Sequence, residues 1–269
     1  MKIIDITEAL GEKFPLYYQE DFDNSGSQIL FKDEQLKGVY VCLDVSLETV
    51  EDAVRNHCNL IISHHPLIFR PIKNIISDDV RSRIIVRLIE SKTSLFSLHT
   101  NFDKFAYGYL SEFLGFGKGE VLLKKTLAGE EEIGLGSFVV LKSPLTLQSL
   151  LELTKNKLEL DTVVYTGDPV HTIKTIAFLN GSGGSSVEKI IDLFNPDCIL
   201  TGDIGYHHAK FAIDAGVALI DAGHFATEII FKKLLAMHIE DIFIDRESTS
   251  IIISQLERNP FKIYQGANE

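Results

Sequence analysis

Short apolar runs alternate with longer amphipathic stretches along the chain. Residues 38–44, 60–63 and 95–98 are apolar runs of the length typical of buried β-strands. Between them, residues 46–56 and 78–91 place apolar side chains at helical spacing. Because strands that alternate with helices are typical of βαβ units, we predict that the first two strands are parallel with a right-handed crossover, and that the third shares their edge if it is parallel too. The carboxyl ends of these strands are then expected at one edge of the sheet, where open α/β sheets bind ligands.

The same alternation returns in the second half of the chain. Residues 175–179, 198–200 and 217–220 predict strands, again with amphipathic stretches between them. Each half also carries a pair of adjacent histidines, and each ends a strand on a motif with an acidic residue. We therefore predict an α/β fold built by internal duplication, in which two similar α/β domains face one another across a metal-containing cleft.

The regions outside these units are less regular. Residues 5–19 predict an amphipathic helix, whereas the polar run 23–28 predicts a surface loop. Glycines and charged residues are frequent at 115–135, which predicts an irregular connection between the two domains. We place the first domain at residues 1–125 and the second at residues 126–269.

Composition and charge narrow the classes of protein to consider. The chain has 269 residues, a formal net charge of -12 and an isoelectric point near 5.2. This acidic balance argues against a nucleic-acid partner, which requires clustered lysine and arginine. No apolar run reaches the roughly 18 residues of a membrane span, and the first residues lack a signal-peptide pattern. Three well-separated cysteines indicate a reducing compartment, so we expect a cytoplasmic protein with no membrane partner.

Candidate metal ligands lie at the ends of the predicted strands of the first half. His64 and His65 directly follow the second apolar run, and Asp103 follows the third. Histidine is the commonest metal-binding side chain; the alternative is one hydrogen-bonded buried imidazole beside a solvated one. Adjacent strand residues point in opposite directions, so the two histidines are expected to bind different ions.

The second half offers His224 and Glu228, four residues apart at the start of a predicted helix. This spacing puts both side chains on one helical face, where they bind a common ion or form a partly buried ion pair. Three imidazoles and two carboxylates exceed the ligand set of one open tetrahedral zinc site. They suit two divalent cations bridged by a carboxylate. Because the set contains no thiolate, Zn, Fe, Mn and Co are all compatible with it.

Six segments of the chain occur together in one known family. They are DNSGSQ, CLDVSLE, ISHHPLIF, LHTNFD, TGD-x₃-HH and IDAGHFATE, and they run from residue 23 to residue 228. Through them the chain resembles the NGG-interacting-factor-three-like proteins, also named type 2 GTP cyclohydrolase I homologues. The resemblance implies a duplicated α/β domain pair, a toroidal homohexamer, and a dinuclear metal site with ligands at His64, His65, Asp103, His224 and Glu228. It also implies that Glu228 bridges the two cations. The connection at 104–171 is too short for the large insertion that many members carry, so no large inserted domain is expected.

Two functions from different classes follow from this resemblance. The first is a metal-dependent hydrolase, for which the family name implies hydrolytic opening of the GTP imidazole ring with release of formate. The sequence has neither a P-loop nor an arginine cluster near the ligands, so a nucleotide or other phosphorylated substrate rests on the resemblance alone. His207 is the candidate proton donor or substrate contact, and Asp44 and Asn101 are candidates for orienting imidazoles. The alternative is a non-catalytic metal-binding scaffold or a regulatory interaction protein.

Overall fold

The fold comprises two β-sheets with helices packed against them, in a computed structural model that describes residues 1–125, 133–243 and 249–264. Its strands are β1 (Gly26–Ile29), β2 (Gly38–Cys42), β3 (Leu60–Ser63), β4 (Ser94–Ser97), β5 (Glu120–Lys125), β6 (Ile133–Thr146), β7 (Val164–Thr166), β8 (Thr172–Ser182), β9 (Cys198–Gly202), β10 (Ala218–Asp221) and β11 (Ser250–Ile253). Its α-helices are α1 (Ile3–Lys13), α2 (Leu47–Arg55), α3 (Val80–Glu90), α4 (Thr100–Phe105), α5 (Tyr109–Leu114), α6 (Leu147–Lys157), α7 (Val187–Phe194), α8 (Tyr206–Asp214), α9 (His224–Glu228) and α10 (Phe231–Phe243). This mixed architecture confirms the predicted α/β class.

The first sheet has the strand order β1-β4-β3-β2-β11. Strands β2, β3 and β4 are parallel, with Val41 beside Ile62 and Ile62 beside Phe96. This confirms the parallel pair predicted for β2 and β3 and shows that β4 shares their direction. All residues of these strands are buried, because α1 and α10 pack on one face of the sheet and α2 and α3 pack on the other. Burial on both faces explains why the sequence shows continuous apolar runs here instead of alternation.

The second sheet has the strand order β5-β6-β8-β9-β10-β7. Strands β8, β9 and β10 are parallel. The antiparallel β7 pairs with β10, as the antiparallel β1 pairs with β4 in the first sheet. The orders β1-β4-β3-β2 and β7-β10-β9-β8 therefore correspond strand for strand. Helices α7 and α8 pack on one face of this sheet, and α5 and α6 pack on the other.

Two predicted segments near the amino terminus differ from the structure. The helix predicted at 5–19 is α1, which ends at Lys13. The reason is Pro15, because a proline disfavours helical backbone at the residue before it. The loop predicted at 23–28 overlaps β1, an edge strand whose polar residues meet solvent on one side.

The connection between the two predicted domains contains a strand. Strand β5 lies inside the segment 115–135 and pairs antiparallel with β6, so the prediction of an irregular connection was wrong for residues 120–125. Residues 126–132 of the same segment lie outside the described part of the chain. Strand β5 belongs to the second sheet and β11 to the first, so each sheet takes one strand from the other half of the sequence. The predicted domain boundary between residues 125 and 126 adjoins the undescribed segment and stays a prediction.

The ends of the parallel strands bring the two sheets into contact. The segment after β3 in the first sheet reaches the segment after β10 in the second, since His65 contacts Glu228. Asp103, after β4, lies in one cluster with the same glutamate. Within the described ranges, no helix is both long and apolar enough to cross a membrane.

Candidate metal site

The five predicted ligands converge at the ends of three strands. His64 and His65 follow β3, Asp103 lies in α4 after β4, and α9 begins at His224 and ends at Glu228 after β10. Two clusters share Glu228: one adds His64 and Asp103, and the other adds His65 and His224. Within each cluster, the atoms able to bind a metal lie within 4.8 Å of one another.

The carboxylate of Glu228 lies at the centre of the site. Its Oε2 atom is 3.0 Å from Nε2 of His65 and 2.9 Å from Nε2 of His224. Its Oε1 atom is 3.9 Å from Nε2 of His64. One carboxylate therefore presents different oxygens to the two clusters, which is the arrangement of a bridging ligand.

Each of these imidazoles is oriented by an acceptor on its outer side. In every case Nδ1–H donates a hydrogen bond of 2.8 or 2.9 Å, which leaves Nε2 for the centre of the site. The pairs are His64 with the carbonyl of Leu98, His65 with Asp44, and His224 with Asp203. Such outer acceptors fix the tautomer and ring orientation of metal-binding histidines. The sequence predicts this role for Asp44. Asn101 instead accepts a hydrogen bond from the backbone N–H of His99 and donates one to the carbonyl of Phe14.

The charges of the metal-free site depend on one another. Burial alone would lower the pKa of His65, but its contacts with Asp44 and Glu228 outweigh burial and raise that pKa to about 10. The contact with Glu228 raises the pKa of His224 to about 9. Burial would raise the pKa of Glu228, yet the surrounding imidazoles hold it well below its usual range. Without metal, the histidines therefore carry protons that a binding cation displaces.

The buried environment of His64 fits a cation. Its Nε2 atom has no hydrogen-bond partner in the part of the chain that the structure describes, and it lies 3.5 Å from Oδ1 of Asp103. A buried polar atom without a partner costs roughly 1–3 kcal/mol. Once this nitrogen is deprotonated, its lone pair and the facing carboxylate oxygens would suit a divalent cation, and the nitrogen and oxygen donor set is compatible with Zn, Fe, Mn or Co.

Gly181, at the end of β8, lets the backbone approach the central carboxylate. Its φ is +61°, and a Cβ at this position would lie 1.9 Å from Oε1 of Glu228. Its N–H donates a hydrogen bond to Oγ1 of Thr227 at 2.9 Å, and the adjacent Asn180 donates one to Asp103 at 2.8 Å. The second sheet therefore packs directly against both carboxylates of the site. No local pattern in the sequence marks Gly181 as part of the site.

His99 and Asp23 also belong to this site, although neither was among the residues predicted for it. His99 Nδ1–H donates to Oδ1 of Asp23 at 2.7 Å. Burial would raise the pKa of Asp23, but hydrogen bonds from His99 and Thr100 lower it far below its usual range. One signal was available: His99 and Asp103 have the same four-residue spacing as His224 and Glu228. The loop containing Asp23 has no periodicity that could reveal its contact with His99.

His207 lies apart from the converging residues. It is exposed in the first turn of α8, and its ring contacts that of Tyr206. None of the three His/Asp/Glu clusters found in the described ranges includes it. A role for His207 as proton donor or substrate contact stays a prediction.

The comparisons with known proteins agree with the predicted family. The family model for Duf34/NIF3 (NGG1p interacting factor 3) matches residues 1–260. A Clostridium acetobutylicum protein named GTP cyclohydrolase 1 type 2 homolog is 31% identical over 97% of this chain and 98% of its own length. A solved Bacillus cereus protein related to NIF3 has a TM-score of 0.90 at 21% identity, which shows a shared fold. A solved Staphylococcus aureus hypothetical protein has a TM-score of 0.89 at 26% identity; both structural matches cover 98% of this chain and 99% of the other. The chain therefore belongs to the Duf34/NIF3 (NGG1p interacting factor 3) family.

Proposed function

We propose that this protein binds two divalent cations and is a metal-dependent hydrolase. The observation that carries the proposal is the central position of Glu228, whose two oxygens face two different clusters of ligands. One cation would be held by His64, Asp103 and Glu228, and the other by His65, His224 and Glu228. Three protein ligands for each cation leave coordination positions open, as in catalytic sites. When bound, such cations activate a water molecule as nucleophile and polarise the substrate.

The residues around the cations orient and shield the site. Asp44, Asp203 and the carbonyl of Leu98 hold three imidazoles with Nε2 towards the centre. Burial of His64, Asp103 and Glu228 excludes water from one side of the site, which strengthens the electrostatic interactions there. His65 and His224 are half-buried, so a substrate approaches from their side.

A nucleotide or another phosphoester is the proposed substrate class. The relative from Clostridium acetobutylicum is named GTP cyclohydrolase 1 type 2 homolog, and this name is the support for GTP. A cavity of about 460 Å³ adjoins the site and is lined by His65, Asp44, Arg81 and neighbouring residues. Arg81 offers this cavity a fixed positive charge for a phosphate group, beside the carboxylates of Asp44 and Asp79.

The proposal includes an assembly and a cellular location. The corresponding strand orders of the two sheets support an internal duplication with the metal site in the cleft between the halves. A toroidal homohexamer and the absence of a nucleic-acid partner are carried over from the sequence analysis. All three cysteines are unpaired and buried, which supports a cytoplasmic protein.

A non-catalytic scaffold is the alternative function, supported by the family description as an interacting factor. In that case the cations join the two halves of the chain, because Glu228 belongs to the second half whereas His64 and His65 belong to the first. The two functions predict different effects of losing the metal. A scaffold loses its assembly, and an enzyme loses turnover.

The test compares Glu228→Gln with Glu240→Gln, an exposed glutamate on the following helix. Each protein is loaded with Zn, Mn, Fe or Co and assayed with GTP for formate release and with phosphoesters for phosphate release. We expect turnover in wild type and in Glu240→Gln, and loss of turnover with an unchanged oligomer in Glu228→Gln. Metal-loaded wild type that turns over none of these substrates, together with a Glu228→Gln protein that fails to assemble, would support the scaffold instead.

A further inference from the structure

His99 occupies the place in the first half of the chain that His224 occupies in the second. Both histidines follow the last of three parallel strands, β4 and β10, and each lies four residues before a carboxylate of the site. Both also donate Nδ1–H to an aspartate, at 2.7 Å for His99 and 2.8 Å for His224. The two imidazoles are therefore presented in the same way by corresponding parts of the fold.

The contacts of His99 differ from those of His224 in one respect. Its ligand nitrogen lies within 4.8 Å of those of His64 and His65, and this cluster contains no carboxylate. The ring centroid of His99 is 5.4 Å from that of His64 and 5.5 Å from that of His65. Because Asp23 accepts from Nδ1 at 2.7 Å, Nε2 is the nitrogen of His99 that can act on the site.

His64 and His65 belong to different carboxylate-containing clusters, and His99 approaches one imidazole of each. These three imidazoles are also close enough to hold an ion, but their cluster alone lacks a carboxylate, so we place His99 beside both proposed cations rather than within the ligand set of either. Each cation already has three protein ligands, so a fourth would close the open position that a catalytic site keeps. A group placed in this way could hydrogen-bond to an oxygen atom of a ligand that the cations would hold.

We infer that His99, oriented by Asp23, forms an oxyanion subsite together with the two cations. The ligand class is a phosphate or carboxylate oxygen bound at the open metal positions, and Nε2 of His99 donates a hydrogen bond to it. The rings of Phe69 and His99 lie nearly perpendicular with centroids 6.2 Å apart, so Phe69 flanks this imidazole. This inference rests on the proposed metal site and adds the residue that recognises what the metal holds.

The test uses the cobalt-loaded protein with inorganic phosphate as the probe. Cobalt content is measured by mass spectrometry, and phosphate binding is measured by the change in the visible cobalt spectrum and by calorimetry. The variant is His99→Gln, with His99→Phe as a second variant that keeps a flat ring. The matched control is His171→Gln, which removes an exposed imidazole elsewhere.

In the His99 variants we expect the cobalt content and the phosphate-free spectrum of wild type. Phosphate affinity should fall roughly 10- to 100-fold, the effect of losing one hydrogen bond to a charged group. His171→Gln should bind phosphate like wild type. Wild-type phosphate affinity in both His99 variants would overturn the inference, as would a wild-type protein that holds cobalt but binds no phosphate. Loss of cobalt in both variants would make His99 a metal ligand and would also overturn it. A wild type without cobalt would instead contradict the proposed metal site.

Discussion

The substitution Gly181→Ala perturbs the central carboxylate without changing any proposed ligand. An added Cβ would lie 1.9 Å from Oε1 and 2.8 Å from Cδ of Glu228, and 3.4 Å from Nε2 of His224. The conflict is with the buried end of a side chain that contacts two imidazoles. The carboxylate must therefore leave its position between the two clusters.

The size of the effect follows from these distances. Restoring an ordinary contact of 3.4 Å requires the oxygen to move by about 1.5 Å. Metal–ligand distances tolerate only about 0.2 Å, so the displaced Glu228 cannot hold both cations. Alanine at a left-handed φ costs about 1–2 kcal/mol, and overpacking adds about 1–3 kcal/mol. The free energy of unfolding of the metal-free protein should fall by about 2–5 kcal/mol.

Gly216→Ala is the matched control. Gly216 also has a positive φ, +76°, but an added Cβ there meets nothing within 4 Å in the described structure. We expect this variant to lose about 1–2 kcal/mol of unfolding free energy and to bind metal like wild type. Unfolding is followed in urea with a chelator, and zinc affinity is measured by competition with a chromophoric chelator. Wild-type zinc affinity in Gly181→Ala would refute the central role of the Glu228 carboxylate.

Three further predictions concern charge and orientation. In chelator, the unfolding free energy contributed by His224 and His65 should be complete below about pH 6.5. It should be lost as the pH rises through their raised pKa values, about 9 for His224 and about 10 for His65. Urea unfolding from pH 6 to 10 should show a larger fall for wild type than for Glu228→Gln, and equal falls would contradict this. Asp44→Asn should weaken zinc binding roughly 10- to 100-fold, because it removes the acceptor that orients His65. The control Asp214→Asn should leave zinc affinity unchanged. Equal zinc affinities in Asp44→Asn and wild type would exclude an orienting role for Asp44. Lys232→Met should lower the unfolding free energy by about 3–5 kcal/mol, because it leaves the carboxylate of Glu257, whose side chain is 7% exposed, without the ammonium 2.8 Å away. The exposed Lys233→Met should change it by less than about 0.5 kcal/mol, and a similar small change in Lys232→Met would contradict the role of the ion pair.

Local patterns were sufficient to predict most of the parallel strands and their helices. Leu60–Ser63 forms the strand predicted there, and Ser46 caps α2 by accepting a hydrogen bond from the N–H of Thr49. These features depend on apolar runs and on capping chemistry within a few residues. The five candidate ligands were predictable for the same reason, since strand ends and i,i+4 spacing place them.

Contacts between distant segments were not predictable in this way. Strand β5 joins the second sheet and β11 joins the first. These pairings link distant segments of the chain, so local periodicity does not reveal them. The approach of Gly181 to Glu228 depends on how the two halves pack, and so does the pairing of Asp23 with His99. His99 itself could have been predicted as a site residue, because its spacing to Asp103 repeats that of His224 to Glu228.

The central claim is that the five ligands hold two cations around Glu228. The most direct measurement is the metal content, by mass spectrometry, of protein purified without chelator, beside the double variant His64→Ala, Glu228→Ala. About two divalent cations per chain in wild type, and none in the folded double variant, is the predicted result. A folded wild type without bound transition metal, or a double variant that keeps both cations, would contradict the account.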